Sequence, residues 1–168
     1  MSDVVNWGVL GYARIAKNSI IPAIARADNA RVYGVASRHQ DELPVGEWQK
    51  SYGDYAALLA DDAIQAVYIP LPNSLHKEWV IRALEAGKHV LCEKPIGLTA
   101  DEAREMQQVA KQQNRLLMEA FMYQYTDRVR VIKQVLESGE LGELRHINVS
   151  FRFLLDRPGT IKMQPALG

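Results

Sequence analysis

A doubly wound, parallel α/β sheet is the fold this sequence predicts, and three observations predict it. Short apolar runs recur between segments of helical periodicity, at residues 4–10, 30–37, 65–69 and 89–92. Strands of a parallel sheet are buried on both faces, so they read as continuous apolar stretches separated by helices. The first run ends at Gly11, immediately before a helical segment, where a nucleotide-binding α/β unit places its tightest turn. The fourth run leads directly into Glu93, Lys94 and Pro95, two opposite charges at the carboxyl end of a strand. Those strand ends form the ligand crevice of an open α/β sheet, so charge there points to chemistry, with an ordinary ion pair as the competing explanation.

Each element follows from local pattern. Residues 4–10 are β-rich, and the helix after Gly11 is expected to run to about Ala27, broken or restarted at Pro22. Residues 30–37 form the second strand. Residues 39–51 are polar, interrupted by Pro44 and Gly46, and carry no assignable element. A short helix follows at 54–60 and a strand at 65–69. Pro70-Leu71-Pro72-Asn73 must be a rigid loop, since neither proline can donate to a ladder. Ser74 suits the N-cap of a helix over 75–86, which Gly87 ends. Thr99-Ala100-Asp101-Glu102 is a capping-box pattern opening a helix with Ala103, Met106, Val109 and Ala110 on one face. A strand follows at 116–121. Thr126 or Asp127 then caps a helix whose Val129, Ile132 and Leu136 are expected to face inward, ending at Ser138-Gly139.

Residues 146–153 break the pattern by alternating polar and apolar strictly, as a strand with one wet face does. This reads as the first strand of a second domain whose remainder is missing, with 156–168 as loop. The expected division is 1–142 for a dinucleotide-binding domain and 143–168 for the start of a truncated substrate or oligomerisation domain. Ile147, Val149, Phe151 and Phe153 share one face, and covering all four is worth roughly 6–12 kcal/mol. An open edge of that kind predicts folding back, poor solubility or self-association through residues 145–153.

Bulk properties narrow the partners. Lys+Arg and Asp+Glu both count 20 in 168 residues, so nothing suggests nucleic acid or an anionic membrane. Apolar runs are too short to span a bilayer, and no basic region or small-residue cleavage site follows Met1, so a cytoplasmic location is expected. The single Cys92 excludes an internal disulfide and, lying in a strand, reads as inert core. No metal site is expected.

Gly11-Tyr12-Ala13-Arg14-Ile15-Ala16 stands where a dinucleotide fold places Gly-x-Gly-x-x-Gly/Ala, so the sheet is expected to be Rossmann-like. Gly11 permits the turn, the next amides face a pyrophosphate at a positive helix end, and Ala16 suits the third position. Ala13 departs from the second glycine, and its methyl limits how closely backbone approaches phosphate. A strand-to-helix turn without ligand is the alternative. At the end of the second strand an NAD site wants Asp or Glu, about 20 residues past the glycines. Ser37 and Arg38 stand there instead, and a hydroxyl with a guanidinium suits a 2′-phosphate, which favours NADP. NAD stays open, with Asp41 or Glu42 bending back to serve it. Asn73 and His76 flank the third helix at the crevice edge, where His76 is able to touch cofactor or substrate or to be structural. His89, His146 and Leu116-Leu117-Met118 read as packing or surface. A lysine beside a nicotinamide can hydrogen-bond the reacting oxygen and share in its proton transfer, which gives Lys94 a use. Burial favours its neutral form and Glu93 its charged form.

Residues 8–16, Ala36-Ser37-Arg38, residues 66–76 and residues 87–95, with their Pro-Leu-Pro-Asn-Ser-Leu-His and Glu-Lys-Pro blocks, resemble the Gfo/Idh/MocA oxidoreductases. The likeness runs from about Val4 to Phe153, and Glu119-Ala120-Phe121-Met122-Tyr123 is similar to the branch of D-xylose and dimeric dihydrodiol dehydrogenases, commonly NADP-linked. The resemblance implies an NAD(P)-dependent oxidoreductase moving hydride between cofactor and a sugar or diol. It implies Lys94 as the catalytic lysine, with Gly11, Ala13, Arg14, Ile15, Ser37, Arg38, Asn73, His76 and Glu93 around the cofactor. Three departures stand out: Gln124-Tyr125-Thr126-Asp127 replaces Arg-x-His-Pro, the stretch between Arg38 and Tyr52 is short, and the second domain's Gly-Gly-x-x-x-Asp motif is missing. The chain is therefore expected to be incomplete as an enzyme. The alternatives are a non-catalytic nucleotide-binding module, a degenerate gene product, or a methyltransferase-type domain, which would want an acid at Ser37 or Arg38 and has no use for Glu93-Lys94-Pro95.

Overall fold

The computed structural model describes residues 4–39, 41, 43–152 and 154. Among the described residues six strands form one sheet: β1 (Val5–Leu10), β2 (Ala30–Ala36), β3 (Lys50–Tyr52), β4 (Ala66–Ile69), β5 (His89–Cys92) and β6 (Leu117–Glu119). All pairings are parallel, in the order β3-β2-β1-β4-β5-β6. The chain starts in the middle, builds outward to β3, then crosses back to β4. The strand order therefore reverses between β1 and β4, which opens a crevice above their carboxyl ends.

The helices are α1 (Ile21–Ala25), α2 (Tyr55–Leu59), α3 (His76–Glu85), α4 (Ala100–Gln112) and α5 (Asp127–Glu137). On one face of the sheet Leu10, Val67, Ile69, Val90 and Cys92 pack against Leu58 of α2, Val80 and Leu84 of α3, and Met106 of α4. On the other face Val9, Val35 and Tyr68 pack under Ala16, Ile20 and Ile21. Cys92 is fully buried, and burial first, then the Glu93 charge, push its thiol above the ordinary range.

Local chemistry sets the boundaries. Pro22 restarts its helix, standing in the first turn of α1, without interrupting the helical backbone. The preceding turn, Ala16–Ile20, widens to π geometry, in which the Ile21 N–H reaches back to Ala16 O, and α1 continues from it. The wider turn takes in a proline ring that a regular helix would push against a carbonyl. Asp54 caps α2 by accepting from the Ala56 N–H, and Thr99 caps α4 by accepting from the Glu102 N–H. Glu102 Oε2 answers by accepting from the Leu98 N–H at 2.7 Å, one residue earlier than an ideal capping box. Ser74 is not a cap: a 3₁₀ turn over Asn73–Leu75 runs straight into α3, so Leu75 takes the cap position without a side-chain bond. Thr126 caps α5.

The unassigned polar stretch ends in a strand, β3, and no α-helix lies between β2 and β3 among the described residues. A three-residue polar strand is held from outside the ladder. Asp61, in the loop after α2, accepts from Lys50 Nζ at 2.6 Å, from the Tyr52 hydroxyl at 2.8 Å and from the Ala63 N–H at 2.9 Å. The Lys50 bond, then the other donors, bring its carboxyl down to about 2. Lys88 is buried beneath the same loop, donating to Asp61 O and Ile64 O, and burial lowers its ammonium from the ordinary value.

Two expectations at the carboxyl end are corrected. α5 forms where expected, yet none of its residues is buried, and Ile132 and Leu136 remain exposed where an inward stripe was expected. Residues 146–152 form no strand, and Ile147, Val149 and Phe151 lie exposed. A strand exists through its ladder, and no described strand pairs with this segment. Phe153 and the loop expected at 156–168 lie outside the described residues, as does Glu42. No helix among the described residues is long and apolar enough to cross a membrane.

Candidate cofactor and active site

A cavity of about 730 Å³ lies over the crevice, walled by the loops that leave β1, β2, β4 and β5. From β1 come Gly11, Ala13, Arg14 and Ile15; from β2, Ser37, Arg38 and His39; from β4, Pro70, Leu71 and Pro72; from β5, Glu93 and Lys94.

Gly11 has φ +105°, and a Cβ there would meet Leu71 Cδ2 at 2.9 Å. Its N–H donates to Ala36 O at 2.8 Å, which ties the turn to the end of β2. Conformation and space both exclude a side chain, so the first glycine of the motif keeps a cradle open in which a phosphate can lie against backbone. Tyr12 packs edge-on against Trp48, ring centres 5.7 Å apart, while Arg14 is exposed at the rim.

Ser37 is buried. Its N–H donates to Tyr52 O at 3.0 Å and its Oγ accepts from the His39 N–H at 3.1 Å, so a three-residue hook turns Arg38 and His39 outward onto the cavity. Asp41, the described alternative acid, does not line it.

On the β5 side the Glu93 N–H donates to Ile69 O at 3.0 Å, and Glu93 Oε1 accepts from the Tyr68 hydroxyl at 2.6 Å. Lys94 is exposed, lines the cavity, makes no salt bridge among the described residues, and its bond to Pro95 is cis. Glu119 Oε1 accepts from the Ile96 N–H at 2.9 Å, which fastens the Pro95 loop to β6.

Asn73 and His76 do not line the cavity. Asn73 is half-buried in the 3₁₀ turn. His76 is fully buried, with Nδ1 at 2.8 Å from Pro95 O and Nε2 at 2.9 Å from Leu71 O. A neutral ring donates from one nitrogen only, so one contact is a hydrogen bond in either tautomer and both are when the ring is protonated. His76 thus joins the loop after β4 to the loop carrying Lys94. Eight of the ten residues read from sequence meet in one cavity, and Asn73 and His76 do not line it.

Sequence reasoning missed Tyr55, whose ring lines the cavity beside Gly11, and His39. Tyr68 was also missed, because a tyrosine inside an apolar run carries no mark separating it from plain core.

The residues at 5–121 match the family model described as "Oxidoreductase family, NAD-binding Rossmann fold", GFO_IDH_MocA. The chain belongs to the Gfo/Idh/MocA oxidoreductase family. It is 41% identical over 172 residues to D-xylose 1-dehydrogenase (NADP(+)) 2 of Haloferax volcanii, covering 96% of this chain and 50% of that protein. It is 37% identical over 172 residues to the dTDP-3,4-didehydro-2,6-dideoxy-alpha-D-glucose 3-reductase of Actinomadura kijaniata, covering 99% of this chain and 51% of the reductase. Among solved structures, KijD10, a 3-ketoreductase from Actinomadura kijaniata in complex with NADP and TDP-benzene, superposes with TM-score 0.77 at 37% identity. That match covers 82% of this chain and 43% of KijD10. The chain thus spans about half the length of the relatives it matches. Family membership agrees with the strand order and with the open cradle at Gly11, a turn shaped for a dinucleotide.

Proposed function

We propose that this chain is the cofactor-binding part of an NADP-preferring oxidoreductase acting on a sugar or a diol, with residues 1–142 as the dinucleotide domain. One observation carries the reading: a single cavity joins Ser37 and Arg38 at one strand end to Lys94 at another, across the Gly11 turn. The bound nicotinamide supplies the hydride donor or acceptor. Gly11, Ala13 and Ile15 shape the phosphate cradle, with Arg14 offering a cation at its rim. Ser37 and Arg38 discriminate for a 2′-phosphate, a hydroxyl and a fork of donors where an NAD site would carry an acid. Lys94 hydrogen-bonds the substrate oxygen and holds or receives its proton, and Glu93 lies beside it. His76 serves by holding the loops that wall the cavity, and Asn73 stands in the turn that follows Pro72 of that wall. Residues 143–168 begin a further domain, and residues 145–153 are the segment through which the chain self-associates. The NADP named for the xylose dehydrogenase and bound to KijD10 supports the cofactor preference.

Calorimetric titration tests it. NADPH should bind more tightly than NADH, and Arg38→Ala should remove a preference of roughly 10- to 150-fold, the worth of one charge-assisted hydrogen bond. Equal affinities in the unmodified chain would refute the NADP preference, and no binding of either would refute the whole reading.

A further inference from the structure

Glu93 enters the cavity with one oxygen already taken. The Tyr68 hydroxyl donates to Glu93 Oε1 at 2.6 Å, within the short range of a hydrogen bond to an ionised oxygen. Tyr68 is fully buried and packs with Val9, Ala16 and Val35, so its ring has one place to be. Burial, and next the facing carboxylate, hold its phenol above the ordinary value, which keeps it a donor. The Glu93 backbone is fixed as well, by its N–H to Ile69 O and by the parallel register of β4 and β5. Among the described residues Glu93 Oε2 is left without a hydrogen-bond partner, on a side chain that lines the cavity.

We propose that Tyr68 is a positioning residue, which fixes the Glu93 carboxylate so that its second oxygen accepts a hydrogen bond from a hydroxyl or amide of the bound nicotinamide cofactor beside Lys94. The inference rests on the cofactor reading above and adds a part to it. Tyr68 itself touches no ligand, because it lies wholly inside the sheet's second core. Its hydroxyl acts by removing rotamer freedom that the glutamate would otherwise lose on binding.

The test is a double-mutant cycle in the 168-residue chain, with Tyr68→Phe, Glu93→Ala and both together, titrated with NADPH by calorimetry. Tyr68→Phe should weaken NADPH about tenfold when Glu93 is present and less than twofold when it is absent. Unchanged affinity on Tyr68→Phe, or equal losses in both backgrounds, overturns the inference. Melting midpoints of all four proteins are read alongside: a merely structural tyrosine lowers the midpoint and leaves this coupling at zero. A second readout needs no cofactor. Proton NMR of the unliganded chain should show a slowly exchanging, downfield hydroxyl proton that is absent in Tyr68→Phe and moves upfield in Glu93→Ala. Failure of the unmodified chain to bind NADPH sinks the cofactor reading by itself. Binding without coupling, or without the hydroxyl signal, sinks this one.

Discussion

His76→Ala tests most directly how the walls of the cavity are held. The ring is fully buried and stands between two carbonyls, Pro95 O at 2.8 Å and Leu71 O at 2.9 Å. Truncation removes at least one hydrogen bond and leaves a buried carbonyl unsatisfied, which costs about 1–3 kcal/mol. The vacated ring volume adds a cavity term, and large-to-small changes at buried sites run about 2–5 kcal/mol in all. A loss near 4 kcal/mol is therefore expected, against a total of roughly 5–15 kcal/mol for a domain. With a urea slope near 2 kcal/mol/M the unfolding midpoint falls by about 2 M. Circular dichroism and the fluorescence of Trp79, one turn into α3, should report the same shift. The measurement is made without nucleotide, which gives it its force. A histidine that served only to touch cofactor would leave the midpoint within about 0.5 M of the unmodified chain, and that result would refute the clamp.

Two further outcomes follow from other parts of the fold. Asp61 has its carboxyl held near 2 by Lys50 and its other donors, so its contribution is present above the ordinary carboxylate value and fades as pH falls from about 4 toward 2. Asp61→Asn should lower the melting temperature at pH 6, with the gap to the unmodified chain closing by pH 2; parallel melting curves across that window would contradict the assignment. Exposed Ile147, Val149 and Phe151 should make the chain self-associate, so light scattering should report dimers or larger, and a chain ending at Gly142 should be monomeric. A clean monomer for the intact chain would count against residues 145–153 as the contact.

What the sequence disclosed depended on whether the stabilising contact was apolar or polar. β5 at His89–Cys92 coincides with its apolar run, since a strand buried on both faces announces itself by composition alone. β3 did not, because Lys50, Ser51 and Tyr52 look like loop, and what keeps them in the sheet is Asp61, a residue on the far side of α2. Ser74 misled for a related reason: cap propensity is local, while the turn after Pro72 was already winding toward α3. In α5 the periodicity fixed a helix but not its burial, which depends on a surface to receive it. The site repeats the division. Gly11, Ser37, Arg38, Glu93 and Lys94 were legible because each is an unusual residue at a strand end, where polar chemistry has few other uses.

The supporting bonds made by buried polar side chains were illegible, and they follow a common plan. Arg38 and Lys94, two of the charges that face the cavity, are exposed and sit on loops. Behind them stand buried polar side chains: Ser37 Oγ accepts from the His39 N–H, His76 meets Pro95 O, and the Tyr68 hydroxyl donates to the Glu93 carboxylate. An exposed long side chain spends little of its freedom until ligand arrives, whereas a buried polar group misplaced by one rotamer leaves a partner unsatisfied at a cost of about 1–3 kcal/mol. Geometry at the mouth is therefore set from inside the sheet, by Ser37 at the cavity's edge and by His76 and Tyr68, which do not line it. Substitutions of His76 and Tyr68 should accordingly disturb binding through the parts they hold, and the charges at the rim should be the positions where specificity can change without the fold changing with it.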